Sequence, residues 1–348
     1  MELEMKKDIR ALSIEDLGEI CRENGQPLFR AKQIYEWLWA KAVFTFDEMT
    51  NLPKAFRSFL QENYVINNIT INTRQVSNDG TIKFTFRLFD NHLIEGVIIP
   101  TDTRLTACVS SQVGCSLSCS FCATGFMGRK RNLNFDEIFD QYIIMNQEAM
   151  DAFGKPLTNI VYMGMGEPLL NYANVLKSID FISNPETINF SPKRITVSTA
   201  GIAKMIKKLA DDEVRFNLAL SLHAPNDVKR DKIMPINSSN NLETLIESLL
   251  YFYQNTGNKM TFEYILLKDF NDTNEDAHEL IKLCQRVPAI INVIEYNQID
   301  EADFEKTSES SRDKFITLLE RNRVTAKVRK SRGKDIDAAC GQLANKTT

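Results

Sequence analysis

Apolar residues recur at helical spacing through the first stretch of the chain: Leu12, Leu17 and Ile20, then Ile34, Trp37, Leu38 and Val43, then Phe56, Phe59 and Leu60. Apolar positions three and four apart mark helices with one buried face, so residues 1–67 are expected to form a helical module. Ser13 and Thr50 stand where N-caps belong, and Pro27 and Pro53 punctuate the segments. The period then changes. Across 68–103 the stretches ITINTRQV, TIKFTFRLF and LIEGVIIP alternate or are β-branched, with Asn78-Asp79-Gly80 as turn chemistry. That region predicts a small β extension.

From residue 104 a third pattern sets in, a short apolar run, a polar loop and a helical stretch, repeated to about residue 330. Strands are expected at 106–110, 159–163, 194–198, 216–221, 261–266, 291–295 and 325–329. Helices are expected at 135–150, 173–182, 203–209, 242–253, 274–284 and 310–320. Apolar strands alternating with helices imply a parallel sheet covered by helices. The fold class is therefore α/β, an open or partial (β/α) barrel across 104–330, followed by a C-terminal segment, 331–348. No Gly-x-Gly-x-x-Gly turn marks a dinucleotide fold.

Composition narrows the class without naming an activity. There are 42 Lys+Arg against 46 Asp+Glu in 348 residues, a formal charge of −4, with 43% apolar residues, as in ordinary globular proteins. No run of eighteen uninterrupted apolar residues predicts a membrane span, and MELEMKKDIR carries no apolar signal core. A cytoplasmic protein with no membrane partner is expected. The even charge balance hides local asymmetry. Residues 321–334 hold seven Lys/Arg and no acid, Gly128-Arg129-Lys130-Arg131 is basic, and 295–309 is acidic. A basic run is ordinarily a solvated face; its alternative is a nucleic-acid contact.

In a parallel barrel the active site sits where strands end and loops converge. Polar and glycine residues gather at those ends: Cys115, Cys119 and Cys122; Gly164 to Pro168; Ser198 to Gly201; Ser221 to Pro225; Glu295 to Asn297. Apolar packing does not call for three thiols on one short loop. Zinc would need a fourth ligand, for which His223 is available. A four-iron cluster on three thiolates leaves one iron open for a chelating substrate. The three-then-two cysteine spacing, with Phe121 before the last cysteine, resembles the radical S-adenosylmethionine (SAM) superfamily. That resemblance implies a [4Fe-4S] cluster on Cys115, Cys119 and Cys122, and SAM contacts at Gly166, Glu167, Ser198, Ser221, Leu222, His223 and Asn297. Read alone, Ser198 is as good a helix cap, His223 an interior histidine and Asn297 a turn residue.

The stretches FRAKQIYEW, CVSSQVGCSLSCSFCATG, GMGEPLLN, SLHAPND, MPIN, RKSRG and DIDAACGQL extend the resemblance over nearly the whole chain. They resemble the RlmN-type dual-specificity 23S rRNA and tRNA adenine methyltransferases. The resemblance implies a reaction that uses two SAM molecules per turnover and methylates carbon 2 of adenine. It makes Cys340, otherwise an ordinary cysteine near a C-terminus, the methyl carrier through an S-methylcysteine intermediate. It also implies Cys108 as the resolving thiol, through a transient disulfide with Cys340, and Glu95 as the proton acceptor. Implied partners are 23S rRNA, tRNA and a flavodoxin- or ferredoxin-type electron donor, the enzyme being a monomer. The helical module would then grip folded RNA. Two alternatives stand beside this: a Cfr-type carbon-8 methyltransferase, and a zinc-containing RNA-binding module. The chain departs from the family after Asn297, where Gln298-Ile299-Asp300 replaces a proline and a Gly/Pro-rich loop.

Overall fold

Ten strands join in one sheet, whose two parts follow the two strand patterns of the sequence. The structure, a computed structural model, describes residues 6–346. Seven strands run parallel and in chain order: Leu105–Cys108, Asn159–Tyr162, Ile195–Thr199, Asn217–Ser221, Met260–Leu266, Ala289–Glu295 and Ala326–Arg329. Thr70–Val76, Ile82–Arg87 and Leu93–Pro100 extend the same sheet in antiparallel register from the first parallel strand. The sheet is open, with Ala326–Arg329 and Thr70–Val76 at its edges. It is also strongly curled. Arg329 lies five strand steps from the Asn159–Tyr162 strand, about 24 Å across a flat sheet at ~4.8 Å per step. Yet its Nη1 is 3.3 Å from Sδ of Met163, the residue after that strand. Only a partial barrel brings those two positions together.

All six expected helices form, with ends set by local chemistry. Phe135–Phe153 starts at an Asn134–Glu137 capping box and stops at Gly154, whose φ of 67° is left-handed. Thr273, Asn241 and Ser308 cap three others. The helix Asp227–Ile233, capped by Asn226, has no apolar periodicity to announce it, because its seven residues carry mostly charge. In the N-terminal module Ser13 caps Ile14–Glu23 as predicted, with Asp16 completing the box. Thr50 caps nothing: it lies in a turn, and Pro53 takes the N-cap of Lys54–Asn63. Among the described residues no helix is long and apolar enough to cross a membrane.

The helical module and the barrel share one continuous core. Trp39 packs on Phe135, Phe139 and Phe181 at centroid distances of 5.3, 5.4 and 4.4 Å. Beside it Arg10 is buried and paired with Asp140 at 2.7 Å and Asp136 at 3.1 Å. Burial pushes Asp136 up to about 6 against the pull of Arg10. Removing one member of a buried ionic cluster strands the other charges, at a cost of about 3–5 kcal/mol. Arg10→Met is therefore expected to destabilise the fold by that much in urea titration and to expose the junction near residue 67 to proteolysis. An unchanged midpoint would show that the cluster does not hold the module.

Candidate functional site: a thiol-rich cavity at the barrel mouth

The first parallel strand ends at Cys108, and the loop after it carries Cys115, Cys119 and Cys122 across the carboxyl ends of the strands. A short hairpin, Gln112–Val113 with Arg131–Asn132, pins the loop at both ends. The crossing is so tight that a Cβ on Gly114 would lie 2.0 Å from the Gly128 carbonyl oxygen, so only glycine is tolerated there. The three thiols face one cavity of about 200 Å³. Burial pushes all three up, and the ionised forms of Cys115 and Cys122 raise Cys119 further. Opposing this, the backbone amides of Leu117 and Ser116 favour ionised Cys115, and those of Gly125 and Thr124 ionised Cys122. Such a trio stays ionised only against a positive group placed among its sulfurs.

Cys108, Gly166, Glu167, Ser198, Ser221, His223 and Cys340 open onto the same cavity. Gly166 has φ of 97° and would place a Cβ 2.5 Å from Gln112 Cβ, so the loop after the second strand passes hard against the cysteine hairpin. The Glu167 carboxylate is fully engaged, accepting from Leu169 N–H at 3.0 Å and Ala200 N–H at 2.7 Å. It thereby ties the loops after the second and third parallel strands together. Ser198 and Ser221 hydroxyls stand 3.4 Å apart on adjacent strands. His223 accepts from Ile265 N–H at Nδ1, 3.1 Å away, and meets Phe121 edge-on. Burial, reinforced by the Arg230 charge, pushes it down to about 3. It is a neutral imidazole carrying its proton on Nε2.

Three expected site residues do not line the cavity. The Leu222 side chain packs in the main core, and its N–H and carbonyl bond Glu263 and Arg230. Asn297 donates from Nδ2 to the Cys340 carbonyl at 3.2 Å. Glu95 is 1% exposed, accepts at Oε2 from Ala344 N–H (2.9 Å) and Asn345 N–H (3.2 Å), and pairs with Lys83 at 3.3 Å. Asn297 and Glu95 thus hold the C-terminal segment. That segment is strapped over the mouth along its length. Gly333 N–H and the Asn78 N–H bond Asp79 and Asp335 across the hairpin turn. Gly341 and Leu343 carbonyls accept from Ala123 and Thr124 just after the last cluster cysteine. The loop after Asn297 joins in, with the Gln298 carbonyl taking Gln342 and Asp300 pairing with Lys346.

Residues 109–284 match the Radical SAM superfamily, and residues 7–66 match the Ribosomal RNA large subunit methyltransferase N-terminal domain. The chain is 56% identical to the probable dual-specificity RNA methyltransferase RlmN of Cytophaga hutchinsonii, over 98% of this chain and 93% of that one. The protein of the same description from Christiangramia forsetii is 53% identical over 98% and 97%. The crystal structure of a radical SAM methyltransferase from Sphaerobacter thermophilus superposes with a TM-score of 0.91 at 39% identity, covering 97% of this chain and 99% of that one. The chain belongs to the RlmN family of radical SAM RNA methyltransferases. The partial barrel is the fold of that superfamily, and the zinc-binding module is set aside.

Membership of the RlmN family implies SAM and an iron–sulfur cluster, and the donor set fits the cluster. A four-iron cluster needs its three thiolates spread over separate irons, as three thiols around one cavity are. Sequence reading missed three charged residues around it. Arg230 is fully buried without a carboxylate partner, held by the Leu222 and Ser221 carbonyls and Asn237, and its charge favours ionised Cys119. Arg329 and Glu263 also line the cavity. Arg230 and Arg329 were lost among charged neighbours; Glu263, one acid in the apolar stretch TFEYILL, was the available signal. Arg131, counted in a basic patch, is spent on Glu137 and Asp90.

Proposed function

We propose that this protein methylates carbon 2 of an adenosine in the peptidyl-transferase loop of 23S rRNA, and of the purine 3′ of the anticodon in tRNA, through Cys340. The supporting observation is that Cys340, Cys108 and the three loop cysteines share one cavity under a strapped C-terminal segment. Cys340 takes a methyl group from a first SAM by displacement, its thiolate being the nucleophile. Cys115, Cys119 and Cys122 hold the cluster, with SAM placed by the backbone around Gly166 and by Ser198, Ser221 and His223. Bound there, cluster and a second SAM supply a 5′-deoxyadenosyl radical. The S-methyl group of Cys340 then loses a hydrogen atom, and its methylene carbon adds to carbon 2, which is too electron-poor to attack a sulfonium itself.

Glu95 takes the proton from carbon 2 while the one unpaired electron of the adduct leaves, for which the oxidised cluster would be the acceptor, and Cys108 then attacks the Cys340 sulfur to release methylated RNA. In the structure Glu95 is engaged with Ala344 and Asn345, so it serves as a base once the strap end lifts away. Asn297 acts here through the strap, on the Cys340 carbonyl. The helical module of residues 1–67 grips folded RNA by shape, and exposed Arg129 and Lys130 beside the mouth meet phosphates. The target base must leave its stack to reach the cavity. A flavodoxin- or ferredoxin-type protein supplies electrons.

Anaerobically reconstituted protein, reductant, labelled SAM and a 23S rRNA fragment beside tRNA form the test, with nucleosides read by mass spectrometry. 2-Methyladenosine in both RNAs is expected. 8-Methyladenosine would move the chain to the Cfr-type reaction, and product in rRNA alone would remove the tRNA activity.

A further inference from the structure

We infer that Arg329, braced by Glu263, is the positioning residue of the Cys108–Cys340 pair: it spans the barrel from its edge strand and sets one fixed positive charge beside both sulfurs. The inference rests on the reading of these cysteines as resolving and carrier thiols.

The geometry has three parts. Arg329 ends the edge strand and turns its guanidinium inward, with Nη1 3.4 Å from Glu263 Oε2 and 3.3 Å from Met163 Sδ. Glu263, itself buried, cannot swing away. Its Oε1 accepts from Asn292 Nδ2 at 2.7 Å and Thr261 Oγ1 at 3.0 Å, leaving Oε2 for the arginine. Met163, which Arg329 touches by its sulfur, favours the Cys108 anion through its backbone amide. Arg329, Met163, Cys108, Glu263 and Cys340 all line the one cavity. Of the other cations in the same basic run, Lys330 and Arg332 also reach the cavity wall, Arg332 donating to the Asp79 carbonyl, while Lys334 pairs with Glu295 outside it. Arg230 stands at the Cys119 side.

The charge is needed because the thiols are poorly placed by themselves. Burial pushes Cys108 up to about 12, and Cys340 across the cavity raises it further; Arg329 opposes this. In the release step the Cys108 sulfur attacks the Cys340 sulfur. The S–S bond forms, the bond from Cys340 sulfur to the methylene carbon breaks, and that carbon keeps the electron pair. The proton Cys108 gives up is balanced by the one the carbon gains as it becomes methyl, so no outside oxidant enters. The attacking species is the anion, whose local fraction a fixed cation raises. An arginine at the edge of an open sheet is otherwise a solvated residue; only the curl of this sheet gives it an interior task.

The test uses reconstituted holoenzyme and the rate of Cys108–Cys340 disulfide closure with oxidised glutathione, trapped by acid and alkylation and read by peptide mass spectrometry across pH. Arg329→Met is expected to close about tenfold more slowly near neutrality, since a thiol that holds its proton tenfold more tightly presents about a tenth of the thiolate. Its rate profile should be displaced to higher pH. Arg329→Lys should recover most of the rate, and Arg329→Gln should slow as Arg329→Met does. These two variants, with iron content as a control, keep the inference testable if Arg329→Met folds poorly. Wild-type closure rates in all three variants across pH would overturn it while leaving the two thiols their roles. No closure between these cysteines in the wild-type chain at any pH would remove both the inference and the reading beneath it.

Discussion

Cys340→Ala is expected to yield a folded protein that keeps its iron and makes no methylated RNA. The strap that carries Cys340 is held by main-chain and flanking contacts: its own carbonyl on Asn297, the Gly341 and Leu343 carbonyls on Ala123 and Thr124, and Ala344 and Asn345 on Glu95. None of these uses the Cys340 sulfur, which opens onto the cavity. Its loss therefore removes one atom from the chemistry and leaves the strap in place. Deleting a covalent nucleophile costs on the order of 10⁶ in turnover, so no methyl-nucleoside should be seen by mass spectrometry in rRNA or tRNA. The wild-type chain incubated with labelled SAM should carry label on the 340 peptide, and the variant should not. Normal product from Cys340→Ala would take the carrier role away from this residue and leave the strap as a cover alone.

What could be read from the sequence divides along a physical line. The parallel strands and their helices were legible because each is a local pattern, and their order in the sheet is the order of the chain. Likewise the cysteine loop, the glycine turn at Gly166 and the serine at the end of the third strand lie at strand ends, which a parallel sheet must bring to one edge. Residues whose task depends on curvature or on a distant segment were not legible. Arg329 looked like one of several surface cations until the curl of the sheet turned it toward Met163 and Glu263. Glu95 and Asn297 had positions implied by family resemblance, but their partners, Ala344, Asn345 and Cys340, belong to a segment whose path no local pattern predicts. Arg131 shows the converse error. Its charge belongs in sequence to an exposed run, yet two carboxylates from separate elements absorb it. The acidic loop after Asn297 supplies strap contacts through Gln298 and Asp300.

Cys108→Ala should fail at a different point, and visibly so. Cys108 is nearly buried at the end of its strand, where truncation to alanine carries the ordinary cost of about 1 kcal/mol and touches none of the three cluster cysteines. In the proposed reaction, methyl uptake by Cys340 and addition to the base do not need the Cys108 sulfur, whereas release of the thioether does. The variant should therefore accumulate protein joined to RNA through Cys340. It would be seen as a nuclease-sensitive band of raised mass on a denaturing gel, and as a 340 peptide bearing the adenosine and one extra carbon. Free methylated RNA should be limited to a trace, because the remaining thiols are the three loop cysteines, which the proposed cluster would engage, and Cys21 and Cys284, which lie in the helical packing away from the cavity. Reductant added afterwards should not free the RNA, since the linkage is a thioether and not a disulfide. Single-turnover release at the wild-type rate would exclude Cys108 from the reaction, and the positive charge of Arg329 would then serve Cys340 alone. A trapped adduct in Cys108→Ala that is absent from the Cys108→Ala/Cys340→Ala double variant would fix the order of the two sulfurs, carrier first and resolving thiol second.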